Sequence, residues 1–308
     1  MTSNAPADPL VGLSFGKDDR LQVQRRLGQG GMGVVYLTWD RQKERHVALK
    51  VLLRQRADDP EFLRRFKHEG VRWKDVIHPG LCRIYGLGRQ HGHFYIVSEY
   101  IEGRDLDLVL QEEGPFSIEE ALRVLREAAS ALAVVHERQI VHRDLKPENI
   151  MITEPDRGVK VLDFGLAKYL SSDSMLTMAG DFLGTPGYVA PEHIRGDEID
   201  GRADVFAMGA ILYEMLTARG AFRGRHVLDV LRSTLKSDPI PVTKFNDGVA
   251  KPVVALISRM IQKDPRKRPK GMPEVIEEVD KITARLADGG TDDDKKGLKG
   301  LLRRLLDD

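Results

Sequence analysis

The stretch His142-Arg143-Asp144-Leu145-Lys146-Pro147-Glu148-Asn149 packs two acids, three bases (counting the imidazole) and an amide between apolar runs. Further along, Val159-Lys160-Val161-Leu162 leads into Asp163-Phe164-Gly165. Asp163 and Asn149 are hard oxygen donors of the type Mg²⁺ takes, a protein pair that leaves the rest of the shell to phosphates and water. Asp144 suits acceptance of a proton from a hydroxyl nucleophile. Lys146 suits neutralisation of charge on a transferring phosphoryl group. Asp-Phe-Gly alone fits a turn after a strand; the two segments together point to phosphate chemistry.

Two upstream features fit the same chemistry. Gly28-Gln29-Gly30-Gly31-Met32-Gly33 is a G-x-G-x-x-G, whose glycines let backbone N–H groups approach phosphate oxygens closely. A dinucleotide fold needs a helix after this motif. Here the β-rich Val34-Val35-Tyr36-Leu37-Thr38-Trp39 follows, so the motif lies in a hairpin, either a flap over phosphates or an ordinary tight turn. Val47-Ala48-Leu49-Lys50 ends a strand on a lysine. An unpaired buried charge is costly, so Lys50 is either solvated or held by a ligand anion or an acid, with Glu69 a candidate.

The elements that position these groups divide the chain in two. Leu21–Leu27, Val34–Trp39, His46–Leu53, Cys82–Leu87 and Phe94–Glu99 are β-type runs, and Arg89–His93 reads as a turn. Pro60–Val76 is the one helical stretch among them. After Gly103 helical periodicity dominates: Ser117–Arg138, Val205–Ala218, Val227–Leu235, Pro252–Lys263 and Met272–Leu286. Ser117 followed by Glu120 is a capping-box pattern. A sheet-rich first part before a helix-rich second part suggests two lobes of α+β class.

Composition narrows the field further. The 308 residues hold 48 Lys+Arg against 47 Asp+Glu, a net charge of +1, and one cysteine, Cys82. That length supplies ample core for one large domain or two smaller ones. The balanced charge gives no sign of a nucleic-acid partner, which usually goes with a basic excess. A lone thiol excludes an internal disulfide and fits a reducing compartment. The longest apolar run, Val205–Tyr213, is far short of the roughly 18 residues of a spanning helix. Met1–Leu13 lacks the basic start of a signal peptide. A soluble cytoplasmic protein is the expectation.

Taken with Ala190-Pro191-Glu192, these motifs stand in the order of one family. Over about residues 21–287 the chain resembles a eukaryotic-type (Hanks-type) serine/threonine protein kinase of the bacterial branch. The resemblance implies a bilobal protein-kinase fold: a flexible tail over 1–20, a small β-sheet N-lobe with one key helix over 21–99, a hinge over 99–103, a larger helical C-lobe over 104–287, and a charged linker with a short amphipathic tail over 288–308. It implies transfer of the ATP γ-phosphate to protein Ser/Thr hydroxyls, with Mg²⁺ (Mn²⁺ as the alternative).

Roles follow from the resemblance, position by position. Gly28, Gly30 and Gly33 cover the phosphates, beside Leu27. Lys50 contacts the α- and β-phosphates and pairs with Glu69. Asp144 is the base, Lys146 meets the γ-phosphate, and Asn149 and Asp163 hold the metal. Val35, Ala48 and Met151 sandwich adenine, Glu99 and Ile101 offer backbone hydrogen bonds, and Ser98 gates an open back pocket. Trp73, Ile84, His142 and Phe164 stack between the lobes, with Trp73 unusually bulky. Glu192 and Arg268 form a buried ion pair, Asp204 anchors the catalytic loop, and Thr185 bonds near Asp144 and Lys146.

Control and partners follow in the same way. Lys146 and Gly184-Thr185 resemble Ser/Thr rather than tyrosine kinases. Arg143 beside Asp144 implies docking of a negative charge from the activation loop, where Ser171, Ser172, Ser174 and Thr177 are autophosphorylation candidates and Asp181 is a partial substitute for phosphate. Glu148 and Glu214 match positions that recognise arginine before the phosphosite. A second copy of the chain is the expected partner for phosphorylation in trans. Leu298, Leu301, Leu302, Leu305 and Leu306 share one helical face, which reads as a helix docked on its own domain or as a contact for a partner or membrane surface. A pseudokinase scaffold is disfavoured because Lys50, Asp144, Asn149 and Asp163 are all present. A small-molecule phosphotransferase is disfavoured by the intact Gly184–Glu192 segment.

Overall fold

A computed structural model describes residues 8–30, 33–52, 76–163 and 185–288. Six antiparallel strands form the first sheet: β1 (Ser14–Phe15), β2 (Leu21–Gly30), β3 (Gly33–Asp40), β4 (Arg45–Leu52), β5 (Ile84–Gln90) and β6 (His93–Glu99). Their order across the sheet is β1-β2-β3-β4-β6-β5. The β-runs of the sequence fall on β2 to β6. The turn expected over Arg89–His93 is tighter, because Arg89 and Gln90 still pair with Phe94 and His93.

Side chains alternate across a strand, and β6 uses both faces. Tyr95 and Val97 join Tyr36, Val47, Leu49 and Val51 in a small core of this sheet. Phe94 and Ile96 face the other way, into the large core shared with the helical part. The same parity puts Val35, Ala48 and Lys50, all half-buried, opposite the small core.

The N-terminal residues correct the expectation of a loose tail over 1–20, since residues 8–20 are folded. Phe15 is fully buried, with ring centroids 5.2 Å from both Tyr95 and His91. His91 donates to the Ser14 carbonyl at 2.9 Å, and the Tyr36 hydroxyl donates to Asp8 at 3.0 Å. The segment contributes one large apolar side chain that the sheet cannot otherwise cover.

The second part opens with β7 (Gly103–Asp105), which forms a small sheet with β8 (Ile150–Thr153) and β9 (Val159–Val161). Seven helices follow among the described residues: α1 (Leu106–Glu113), α2 (Ile118–Glu137), α3 (Pro191–Arg195), α4 (Arg202–Thr217), α5 (Val227–Lys236), α6 (Lys251–Met260) and α7 (Met272–Ala287). α4 is buried on nearly every side, as expected of a helix apolar all round. α2 packs against α7, α4 and β9. Its capping box is half made: Ser117 Oγ accepts the Glu120 N–H at 3.1 Å, while the Glu120 carboxylate accepts from Arg157. The helix expected over Pro60–Val76 and the tail after Asp288 lie outside the described residues.

Phe15→Ala removes a fully buried ring from the small core and is expected to cost about 3–5 kcal/mol of stability. Denaturant unfolding of the variant against the parent measures it, and an unchanged midpoint would return residues 8–20 to a loose tail.

Candidate active site

The lysine at the end of Val47-Ala48-Leu49-Lys50 reaches across to the second part of the chain. Lys50 Nζ donates to Asp163 Oδ2 at 2.7 Å. Burial opposes ionisation of Asp163, but the Lys50 charge and hydrogen bond, with His142 and Lys146 behind them, hold its carboxyl below the ordinary range. Asp163 itself has φ 54°, a left-handed conformation that a non-glycine residue keeps only where the surroundings enforce it.

The catalytic-loop residues hang from one buried carboxylate. Asp204, in the first turn of α4, accepts the backbone N–H groups of His142 (2.8 Å) and Arg143 (3.0 Å) and the His136 ring Nε2–H (2.7 Å). These contacts outweigh burial and hold Asp204 ionised below the usual carboxylate range. Arg143 has φ 68°, and the loop turns there. Asn149 Nδ2 donates to the Asp144 carbonyl at 2.6 Å, which fixes the amide and commits its oxygen to the acceptor role. Burial pushes the Asp144 carboxyl up, with Lys146 and His142 opposing it and Asp163 adding to it.

Asn149 and Asp163 fit a divalent cation. Both are hard oxygen donors, and the hydrogen bond that Asn149 donates leaves its oxygen for a ligand. Above them, β2 and β3 form the glycine hairpin. A Cβ at Gly33 would lie 2.3 Å from the Val51 carbonyl oxygen, so only glycine lets β3 approach β4 there. At Gly28 and Gly30 a Cβ would meet open space.

The residues expected to enclose a base fall on β3, β4, β6 and β8. Ala48 pairs in register with Ser98, and Val35 with Lys50. Met151 on β8 and Ile101 are half-buried, and Leu27 is 38% exposed. The Glu99 N–H is taken by the Arg83 carbonyl at 2.8 Å, and the weak Cys82 thiol donor lies 3.7 Å from the Glu99 carbonyl. The Glu99 carboxylate pairs with Lys160 at 2.7 Å, an anchor that sequence reasoning missed. Burial, with the Asp163 and Glu99 charges, pushes the Cys82 thiol up to about 12.

A third acid joins the two read from the sequence. Asp107 on α1 and Glu148 both raise the Glu214 carboxyl, after burial, and the Tyr188 hydroxyl donates to Glu214. Glu192 and Arg268 form the expected pair, with bonds of 2.6 and 2.7 Å and side chains 4% and 0% exposed. Ile84 and His142 are buried as expected. Among the described residues no hydrogen bond joins Thr185 to Asp144 or Lys146; the Thr185 carbonyl accepts the Tyr188 N–H at 3.3 Å, which turns the segment towards Glu214 instead. Glu69, Trp73, Phe164, the candidates Ser171, Ser172, Ser174 and Thr177, and Asp181 lie outside the described residues.

Comparison with known proteins agrees with this geometry. The protein kinase domain family matches residues 21–279. The serine/threonine-protein kinase PrkC of Bacillus subtilis is 38% identical over 246 residues, 80% of this chain and 38% of that protein. The serine/threonine-protein kinase PknB of Mycobacterium tuberculosis is 36% identical over 255 residues, 81% of this chain and 41% of that protein. The chain thus spans about two-fifths of these curated relatives' length. A crystal structure of the Mycobacterium tuberculosis PknI kinase domain superposes with a TM-score of 0.71 at 26% identity, covering 88% of this chain and 98% of that one.

Replacing Arg268 by methionine leaves Glu192 buried and unpaired. The expected loss is about 3–5 kcal/mol, read by denaturant unfolding. The double replacement with Glu192→Leu is expected to recover most of it, because no lone charge then remains.

Proposed function

The chain belongs to the protein kinase family, and on that premise we propose that it is an ATP-dependent serine/threonine protein kinase. The observation that carries the reading is the meeting of Lys50, Asp163, Asn149 and Asp144 in one place. Lys50 holds the nucleotide's α- and β-phosphates. Val35, Ala48 and Met151 enclose adenine, which the Glu99 carbonyl and the Ile101 N–H address. Asn149 and Asp163 would hold Mg²⁺, which supplies charge neutralisation on the phosphates when bound. Mn²⁺ has the same donor preference.

Asp144 takes the proton from a serine or threonine hydroxyl as that oxygen bonds to the γ-phosphorus. The bond from phosphorus to the β–γ bridging oxygen breaks, and ADP leaves with its electron pair. Lys146 lies close enough to Asp144 to depress its pKa and balances charge on the group in transit. Asp107, Glu148 and Glu214 set a preference for a basic residue in the peptide. A second copy of the chain is the proposed acceptor for phosphorylation in trans. The leucine-rich face over Leu298–Leu306 is the proposed partner-contacting segment, and the single thiol supports a cytoplasmic setting.

The test is phosphate transfer from labelled ATP with Mg²⁺ to a basic peptide bearing one serine. Asp144→Asn is expected to lower kcat by at least about 100-fold, in line with loss of a general base, with nucleotide binding retained. Transfer undiminished in the variant would sink the assignment.

The rate should depend on pH with a definite sign. Asp144 works ionised and burial raises its pKa, so kcat/KM is expected to climb with pH through a limb lying above the ordinary aspartate value of 3.8. A pH–rate profile flat down to the ordinary carboxylate range would contradict it. Ser98→Met is expected to cut sensitivity to ATP-competitive inhibitors with bulky substituents while ATP use persists; dose–response curves of parent and variant decide.

A further inference from the structure

Away from the cleft, four cations line a shallow cavity of about 580 Å³: Arg195, Arg202, Lys263 and Arg266, with Asp264 and Pro265 completing the wall. They come from three stretches of chain, namely the last residue of α3, the first of α4, and the loop after α6. One buried side chain ties the three together. The Arg268 guanidinium donates to Glu192 on α3 and to the carbonyls of Arg202 (2.8 Å), Gln262 (2.7 Å) and Lys263 (3.4 Å). The walls are therefore fixed by the same ion pair that braces α3.

The charges in this cavity do not cancel. Asp200 engages the Arg202 guanidinium at 2.6–3.0 Å, and Asp264 engages Arg266 at 2.9–3.3 Å. Each guanidinium keeps further N–H groups for another acceptor. Arg195, exposed at the end of α3, makes no ion pair among the described residues. Lys263 Nζ is buried with no hydrogen-bond partner among them. It rests 3.9 Å from the Phe222 ring centroid and 5.9 Å from that of Phe206. Burial drives its pKa down to about 8, with Asp238 pulling it up and Arg268 pushing it down. The buried ammonium lies against aromatic rings, and the four cations of the cavity outnumber the two carboxylates, Asp200 and Asp264, that engage them.

Guanidinium forks match phosphate oxygens bidentately, and clustered arginines are a recurring means of holding phosphorylated side chains. The openness of the cavity suits a group presented on a chain. We propose that Arg195, Arg202, Lys263 and Arg266 form a docking site for a phosphorylated serine or threonine of a protein. In this site Arg195 and the unengaged N–H groups of Arg202 and Arg266 contact the phosphate, and Lys263 acts through its charge from behind. Binding here needs no phosphoryl transfer by the chain, so the measurement reads it separately from kinase activity.

The test titrates the full chain, its cleft saturated with a non-hydrolysable ATP analogue and Mg²⁺, into a fluorescent peptide bearing one phosphoserine. Anisotropy reports binding, with the unmodified peptide and inorganic phosphate as competitors. Loss of one charge-assisted contact corresponds to about tenfold in affinity. Arg195→Gln is expected to weaken phosphopeptide binding by about that factor, with its melting temperature and nucleotide binding unchanged. The unmodified peptide should compete at least about tenfold more weakly than the phosphopeptide. Equal binding by parent and Arg195→Gln, or equal binding of the two peptides, overturns the site. Inorganic phosphate competing as well as the phosphopeptide shows an adventitious ion only and overturns docking of a protein.

Discussion

The active geometry depends on the buried carboxylate of Asp204. It stands in the first turn of a helix buried on nearly all sides, and its oxygens accept the backbone of His142 and Arg143 together with the His136 ring. An unpaired carboxylate there would be expensive, and an unpaired loop backbone would be expensive too. Each satisfies the other. The consequence is a loop whose φ of 68° at Arg143 is imposed from below, so that Asp144 and Asn149 emerge in fixed places. The ionised state of Asp204 is held by these donors against burial, which makes the anchor and the loop a single electrostatic unit.

A second constraint runs between the two parts of the chain. The Asp163 charge is close enough to Asp144 to raise the cost of ionising it. Lys50 settles the contest by ion-pairing directly with Asp163. The result is two acids in different states of readiness. Asp163 is held ionised, while the Asp144 carboxyl is shifted up. One fold separates their duties through the placement of one lysine. The strand parity that delivers Lys50 also delivers Val35 and Ala48 to the same side, so these apolar side chains and the cation are products of one alternation.

Much of this was legible in the sequence, for physical reasons that differ by element. Strands β2 to β6 announce themselves by alternation, and α2, α5, α6 and α7 by a one-sided apolar stripe, because half-buried elements must segregate their side chains. Where burial is complete or an element is short, that signal fades. Phe15 and the two-residue β1 carry no period, so residues 8–20 read as tail although Phe15 is fully buried. β7 and α1 were missed for similar reasons, and with α1 went Asp107. Motif spacing revealed Asp144, Asn149 and Asp163, but spacing cannot reveal pairings between distant residues. Glu99 with Lys160 and Glu120 with Arg157 depend on which faces meet. Nor does spacing show backbone turns: among the described residues no hydrogen bond joins Thr185 to Asp144, while its carbonyl accepts the Tyr188 N–H.

The net charge of +1 conceals a division of sign across the surface of the second part. Asp107 and Glu148 stand close enough to Glu214 for their charges to add to the burial that raises its carboxyl, a negative field that favours a basic side chain over an anion. Arg195, Arg202, Lys263 and Arg266 gather beyond α3, a field of opposite preference. A hydroxyl that becomes a phosphate ester acquires about −1.5 to −2 charges at neutral pH. In the proposed reaction the acids that favour a basic peptide would disfavour its phosphorylated product, since like charges in a partly dehydrated site are screened less than in open water. The same added charge is what the basic cavity would attract. Tyr188 lies between these regions in sequence, in the turn just before α3, and its hydroxyl donates to Glu214. The Glu192–Arg268 pair fixes α3 itself. The segment that shapes the substrate's approach and the wall of the cationic cavity are therefore held by adjoining residues of one short stretch, Tyr188 to Arg195.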